Sequence, residues 1–251
     1  MKNQGFITPK SQGNALVIIL IIIALLGALT ITMTRMSSTA TDDVSQEQAS
    51  LLADEMLRYG VTIQTGIQNL LIKGCSEKEI RFERPPFDGT DTAYRLTTGT
   101  PADKSCYVFD ANGAGLTYVT PDDVALKGTS GVSASKAKQY FFSGFDCMRD
   151  VGTGGSNCAF SGGNTDTELL MLVADIKDSV CDAINKKTGA TKTNLLASAN
   201  NWYSPGVGYK GTFGTSSLSG SVPAPPNNQA MCYYDEHSPG FNAFVFVLMA
   251  R

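Results

Sequence analysis

The chain has 251 residues and a formal net charge of −3, and no basic patch stands out, so composition does not favour a nucleic-acid partner. Its single histidine, His237, excludes most histidine-based metal sites and disfavours a histidine-dependent catalytic triad. No other combination of residues suggests an active site. We therefore expect a protein that is not an enzyme and uses no cofactor.

The first predicted element is the apolar segment 15–33, which contains no charged residue. Twelve of its 19 residues are Leu, Ile or Val, and together they favour membrane insertion by roughly 4 to 7 kcal/mol. A helix of this length covers about 28 Å, close to the hydrocarbon thickness of a bilayer. The lysines before the segment and the aspartates after it favour a cytoplasmic N-terminus. We expect a single-pass transmembrane helix at 15–33.

Two other interpretations of this segment stay open. It resembles a plain signal anchor, which would tether the chain without further processing. It also resembles a cleaved signal peptide, because Ser38-Thr39-Ala40 places small residues where a signal peptidase cuts. The segment is, however, longer than the apolar region of about 7–15 residues in an ordinary signal peptide.

The next predicted element is an amphipathic helix from Ser45 to Lys73. Ser45 and Gln48 have the spacing of a capping box, and Gly74 suits the C-terminal end. Gly60 and Gly66 are expected to weaken the helix. Apolar side chains recur at spacings of three and four residues and predict one buried face: Leu52, Met56, Tyr59, Ile63, Ile67 and Leu70.

After Gly74, short β-like segments alternate with Gly, Ser, Pro and Asp clusters, which predicts a mostly antiparallel β head domain and an α+β fold class overall. A short helix is expected at "KDSVCDAINKK", and the C-terminal segment should be a central strand. The last two of the first four strands are expected to form a hairpin through 111–115. The expected strands are 79–83, 94–98, 106–110, 116–120, 140–145, 168–176, 231–236 and 241–250.

The six cysteines all follow the apolar segment and form no C-x-x-C pair. Behind a membrane-directing segment, an even number of cysteines indicates disulfides in an oxidising compartment. Six cysteines allow about 15 connectivities, and the sequence alone does not choose among them. Their order and the placement of the elements favour Cys75–Cys106, Cys147–Cys158 and Cys181–Cys232.

Two long loops and one turn carry the remaining candidate sites. Loops 152–164 and 200–228 are rich in glycine, and loops of that length in a compact domain are often functional. Trp202, Tyr203, Tyr209 and Phe213 form a possible binding loop for a partner or a sugar; the alternative is that these rings fix the loop onto the domain. Asp110 and Asn112 are possible calcium ligands, against the alternative of a simple turn.

The start of the chain resembles type IV pilin-like proteins, a group that includes the pseudopilins of type II secretion. The resemblance rests on Gln12-Gly13-Asn14-Ala15-Leu16, which leads directly into the apolar run. It implies a leader at 1–13, cleavage between Gly13 and Asn14 by a prepilin peptidase, and methylation of the new N-terminus. It further implies an N-terminal helix over 14–74 with its transmembrane part at 15–33, and an extracytoplasmic head at 75–251.

The chain departs from the family at the fifth mature position. Most members have a glutamate there, which pairs with a neighbouring subunit, whereas this chain has Ile18. The departure suggests a minor subunit. The resemblance implies a bacterial inner-membrane location, a periplasmic or extracellular head, and other pilin-like subunits as partners in a type IV pilus or a type II secretion pseudopilus.

We therefore expect a structural subunit that acts by membrane anchoring and helix–helix filament assembly. The alternative is a membrane-anchored or secreted extracytoplasmic binding module for a carbohydrate or a protein, with the aromatic loop as its site.

Overall fold

The structure is a computed structural model that describes residues 18–23, 44–85, 94, 103–128, 138–146, 148, 151, 167–191, 194–195, 208–213, 229–235 and 240–251. The chain divides into two compact units, Met1–Asp43 and Val44–Arg251. In the first unit, the described residues 18–23 are helical. The second unit combines two helices with one sheet, which confirms the predicted α+β class.

Helix α1, Gln46–Ile72, has the capping signals that the sequence indicated. The Ser45 hydroxyl accepts a hydrogen bond from the Gln48 amide at 3.2 Å. Beyond the C-terminus, Gly74 adopts a φ of 100°, and the amides of Gly74 and Cys75 donate to the carbonyls of Leu71 and Leu70. This is the Schellman arrangement, which needs a residue that tolerates positive φ. The predicted amphipathic helix is confirmed, but the single long helix expected over 14–74 is not seen, because Ser45 has a non-helical ψ of 152° and caps α1 there.

One face of α1 lies against the sheet, and the predicted apolar side chains on that face are buried or packed against the core. The glycines of this helix have a role that the sequence did not reveal. Both are buried, and a Cβ on Gly60 would come within 2.4 Å of the Phe246 ring, while one on Gly66 would come within 2.6 Å of Leu116. The two glycines therefore let the helix approach its neighbours closely, in addition to lowering its intrinsic helix propensity.

The sheet has five strands in the order β1-β2-β5-β4-β3. Four of them are antiparallel: β1 (Phe141–Asp146), β2 (Glu168–Ile176), β4 (Ala230–Asp235) and β5 (Phe241–Met249). The two-residue strand β3, Asn194–Leu195, pairs with β4 in parallel. The C-terminal strand is central, as predicted, because β5 pairs with both β2 and β4.

Both faces of this sheet are buried, which explains why β2 and β5 read as nearly continuous apolar runs. Phe246 and its register partner Met171 lie on the face toward α1, because Phe246 meets Gly60. The next pair along, Val245 and Leu172, therefore points to the opposite face, and these side chains are buried as well. Helix α2, Asp178–Thr188, follows β2 directly and packs on α1, β4 and β5.

Three of the predicted strands do not form as expected. The predicted strand 79–83 overlaps the end of a 3-10 turn, Glu77–Glu79. The residues after this turn are extended and make one isolated parallel bridge, between Arg81 and Tyr107. Segments 106–110 and 116–120 are not strands, so the predicted hairpin is wrong; the Ala114 and Leu116 amides instead donate to the carbonyls of Tyr107 and Val108. These bonds coil the segment into a tight loop. Of 94–98, only Tyr94 lies within the described residues.

Candidate functional site

The described part of the apolar segment is a helical stretch of six consecutive large aliphatic residues, 18–23. All six side chains are exposed, with fractional exposures between 49% and 61%. Ile18, the fifth residue of the expected mature chain, is one of them. The rest of 15–33 and the expected processing pair, Gly13 and Asn14, lie outside the described residues. Among the residues that the structure describes, no helix is long and apolar enough to cross a membrane.

The side of α1 that faces away from the sheet is a second exposed surface. We call it the outer face of α1 and define it by seven exposed residues that alternate at spacings of three and four: Leu51, Asp54, Arg58, Val61, Thr65, Gln68 and Ile72. Leu51 is 69% exposed and Ile72 is 83% exposed, so large aliphatic side chains stand near both ends of the helix. Spacing of this kind places residues in one row along a helix and suits a second helix packed alongside.

Three polar side chains on and beside the outer face are paired within the chain. The hydroxyls of Thr62 and Thr65 donate to the carbonyls of Arg58 and Val61, at 2.9 and 2.8 Å. Each threonine therefore satisfies its hydroxyl inside its own helix. Asp54 pairs with Lys187 of α2 at 2.9 Å. A partner helix would consequently meet these three groups already paired.

Two of the three predicted disulfides are confirmed. The loop disulfide, Cys75–Cys106, ties the end of α1 to the loop that follows the Arg81 bridge. The core disulfide, Cys181–Cys232, ties α2 to strand β4, and both of its cysteines are fully buried. The pair Cys147 and Cys158 lies outside the described residues. Each confirmed bridge joins a helix to a segment that is distant in sequence, and so fixes the helices against the head.

Of the possible binding loop, the structure describes residues 208–213, and these rings face inward. Tyr209 is fully buried. Its amide donates to the carbonyl of Phe142 at 2.8 Å, and its hydroxyl donates to the carbonyl of Glu77 at 2.7 Å. Burial raises the pKa of the Tyr209 phenol above its usual range. Phe213 lies beneath the guanidinium of Arg251, 3.9 Å from the ring centroid.

We call residues 208–213 the strap, because they fix this part of the loop onto the domain. A ring that is buried in the core cannot contact a ligand, so the interpretation of Tyr209 as an anchor for its own loop is the one that fits its position. Trp202 and Tyr203, the other two members of the possible binding site, lie outside the described residues.

The strap also covers a buried arginine. Arg81 is 2% exposed, and one nitrogen of its guanidinium donates to the carbonyls of Lys78 and Ile80 at 2.6 and 2.9 Å. Gly211 has a φ of 78°, and a Cβ there would collide with the Lys78 carbonyl and crowd the guanidinium. Burial lowers the pKa of Arg81. Arg81 thus bonds within its own segment after α1, and the strap packs closely over it at Gly211.

The possible calcium ligands lie in a tight turn that already has cationic neighbours. The Asp110 carboxylate accepts a hydrogen bond from the Asn112 amide at 2.9 Å and lies 3.6 Å from the Lys104 ammonium. The Lys73 ammonium donates to the carbonyl of Gly113 at 2.8 Å. Calcium needs six to eight oxygen ligands, roughly, and no group of three or more metal-binding side chains occurs among the described residues. The arrangement fits the alternative of a turn.

Two polar residues at the edges of the sheet were not identified from the sequence. Asn185 on α2 donates to and accepts from the backbone of Cys232, at 2.8 Å in each direction. The Tyr94 hydroxyl accepts a hydrogen bond from the Phe142 amide at 3.0 Å. The only sequence clue to Asn185 is its spacing of four from Cys181, which puts a polar residue on the buried face of α2.

The chain was also compared with known proteins, and no protein-family model, curated protein or solved structure matches it.

Proposed function

We propose that this chain is a pilin-like structural subunit of a type IV pilus or a type II secretion pseudopilus. In this proposal, the apolar N-terminal helix anchors it in the bacterial inner membrane, and the unit Val44–Arg251 lies outside the cytoplasm. The observation that carries the proposal is the helical stretch 18–23, whose six aliphatic side chains are all exposed. A helix that is apolar on every side is stable in lipid or among other helices.

The disulfides support an extracytoplasmic head. Structural disulfides persist in oxidising compartments such as the periplasm and are rare in the cytosol. The core disulfide is fully buried and lies between a helix and the sheet, so it belongs to the folded architecture. This position fits a head that matures on the periplasmic side of the membrane.

The outer face of α1 supports helix–helix assembly. The opposite face is occupied by the sheet, so contacts with neighbouring subunits would use the outer face. Its three most prominent apolar side chains, Leu51, Val61 and Ile72, are 69%, 44% and 83% exposed. We propose that they add to the subunit contacts that the apolar segment makes in the membrane, with each of the two helices packing against its counterparts in neighbouring subunits.

Processing provides the first test. The proposal predicts that N-terminal sequencing of the membrane-extracted protein gives Asn14 as the first residue. Gly13→Leu should block the cut and leave Met1 intact, whereas Gly5→Leu, the same change elsewhere in the leader, should leave processing unchanged. A mature start at Thr41, with the chain free in the periplasm, would instead identify a cleaved signal peptide and refute the proposal.

Cross-linking provides the second test. Val61→Cys on the outer face should form an intermolecular disulfide in membranes that contain the assembly machinery. Lys186→Cys, an exposed position on α2, is the matched control and should stay largely uncross-linked. Equal cross-linking of the two variants would show that the outer face of α1 is not a preferred contact.

A further inference from the structure

The two edges of the sheet are closed by side chains and by the strap, and no long partner strand covers them in the described structure. Strands β1 and β3 end the sheet, and β3 covers only Tyr234 and Asp235 of β4. The middle of β4 and the regular part of β1 therefore need other partners for their outward backbone groups. Unpaired groups at a sheet edge form a template on which a strand from another chain can pair.

On the β4 side, the partner is a side-chain amide that takes the place of a strand. Cys232 pairs with Phe244 of β5 on its inner side, and its outward amide and carbonyl both bond to Asn185. Asn185 is 5% exposed. The core disulfide begins one helical turn earlier, at Cys181, and bonds to the same Cys232. The disulfide thus fixes α2, and Asn185 with it, to the same residue whose backbone groups Asn185 bonds.

On the β1 side, the partners are a tyrosine hydroxyl and the strap. The Phe142 amide donates to the Tyr94 hydroxyl, and the Phe142 carbonyl accepts from the Tyr209 amide. The register with β2 becomes irregular between Ser143 and Asp146, so Phe142 is the outward residue in the regular part of the strand. Both of its edge-facing backbone groups are occupied.

We propose that Asn185 and Tyr94, together with the strap, keep the sheet edges from pairing with a second copy of this chain. The strand that must be kept off these edges belongs to another copy of the chain, because the edge strands suit self-pairing. The sequence of β1 is FFSGFD and that of β4 is AMCYYD, each rich in aromatics with one acidic residue at its end. Their aromatic residues favour β structure and each segment carries a single charge, and both features favour cross-chain pairing. The edge closure does not depend on the proposed function.

The chain offers matched variants for the test. Asn185→Ala and Tyr94→Phe each remove a bond that closes an edge. Asn242→Ala and Tyr59→Phe remove side-chain bonds away from the edges: Asn242 on central β5 bonds to the Ile176 carbonyl and to Asp178, at 2.9 and 2.8 Å. Like the Tyr94 hydroxyl, the Tyr59 hydroxyl accepts a hydrogen bond from a backbone amide, that of Val119 at 3.4 Å, but Tyr59 lies on α1. Each pair of variants therefore makes the same chemical change, with and without opening an edge.

The experiment uses the full chain in detergent micelles, with each variant held the same number of degrees below its own unfolding midpoint. Thioflavin fluorescence and the infrared band of intermolecular β-sheet report strand pairing. We expect the two edge variants to develop both signals about tenfold faster than their controls, because an open edge templates further pairing. Circular dichroism confirms that each variant starts folded, and Tyr94→Phe still tests the β1 edge if Asn185→Ala fails to fold.

Equal rates for edge and control variants would overturn the proposal, since association would then follow lost stability alone. No intermolecular β-signal from any folded variant would overturn it as well. Because the test measures pairing of heads in micelles, without filament machinery, its failure would leave the proposed assembly through α1 untouched. Conversely, a soluble mature form that starts at Thr41 would refute the proposed function and leave the edge closure to be judged on its own result.

Discussion

Replacing Gly60 by alanine separates the intrinsic cost of a helix glycine from its role in packing. In an isolated helix, the change stabilises by about 0.8–1 kcal/mol. In this protein the new Cβ would lie 2.4, 2.6 and 2.7 Å from three atoms of the Phe246 ring. Phe246 is 1% exposed and belongs to the central strand, between Met171 and Ala230. The ring therefore has little room to move.

The expected magnitude follows from overpacking. Extra atoms in a well-packed core cost about 1–3 kcal/mol, so Gly60→Ala should lower the free energy of unfolding by up to about 2 kcal/mol after the helix gain of about 1 kcal/mol is subtracted. Gly66→Ala is the matched control. Its new Cβ would meet the tip of Leu116 at 2.6 Å, and the next atoms lie at 3.3 Å or beyond. A half-buried leucine on a loop can change rotamer, so this variant should be neutral or slightly more stable.

Urea unfolding of the oxidised full-length protein in detergent, followed by far-UV circular dichroism, measures both variants. Because both substitutions receive the same helix-propensity gain, the difference between them isolates the packing term, for which we expect about 1–3 kcal/mol. If Gly60→Ala is as stable as Gly66→Ala, or more so, the close contact between α1 and β5 is not what selects glycine at position 60.

Three further predictions concern the disulfides, the buried phenols and the helix cap. Graded reduction of the native protein, followed by alkylation and mass mapping, should open the loop disulfide well before the core disulfide, because Cys75 is only partly buried and both core cysteines are fully buried; the reverse order would contradict the burial. Burial raises the pKa of the Tyr209 and Tyr140 phenols above the ordinary 10.0, so the folded state holds these protons more tightly than the unfolded state. The contribution of these protonated phenols to the free energy of unfolding is complete below pH 10.0 and is lost as pH rises above it. A pH series of urea midpoints should therefore show a shallower alkaline decline in Tyr209→Phe than in the unchanged protein, and an equal slope would refute this. Ser45→Ala should lower the free energy of unfolding by about 1 kcal/mol through loss of the cap, with Ser45→Asp restoring it, and equal stability of all three forms would show that the cap is not used.

Several elements could be predicted because their evidence is local in the chain. The spacing from Leu52 to Leu70 repeats every three or four residues, and α1 forms where that pattern lies. The run 168–176 is apolar at nearly every position, and it forms a strand buried on both faces. Each of the two confirmed disulfides joins two cysteines that are consecutive among the six in the sequence, as the predicted pairing has them.

The failed predictions share a physical cause, which is that their partners are distant in sequence. Segment 106–110 has the composition of a strand, but its backbone bonds to Arg81 and to its own turn. For Tyr209 the sequence left a binding ring and a loop anchor both open, and its burial against a segment far earlier in the chain fits the anchor. Local propensity ranks conformations, and long-range contacts decide among those of similar energy.

By itself, the sequence determined the apolar N-terminal run, the amphipathic helix after it, the α+β character of the head and the even set of cysteines, because hydrophobic period, capping residues and composition act within a few residues. The tertiary structure alone decided that Gly60 admits Phe246, that the strap is fixed through Tyr209, and that Asn185 closes the edge of β4. Each of these depends on a backbone brought close by the fold, where one methyl group or one unpaired amide changes the free energy by an amount comparable to a helix cap, about 1 kcal/mol.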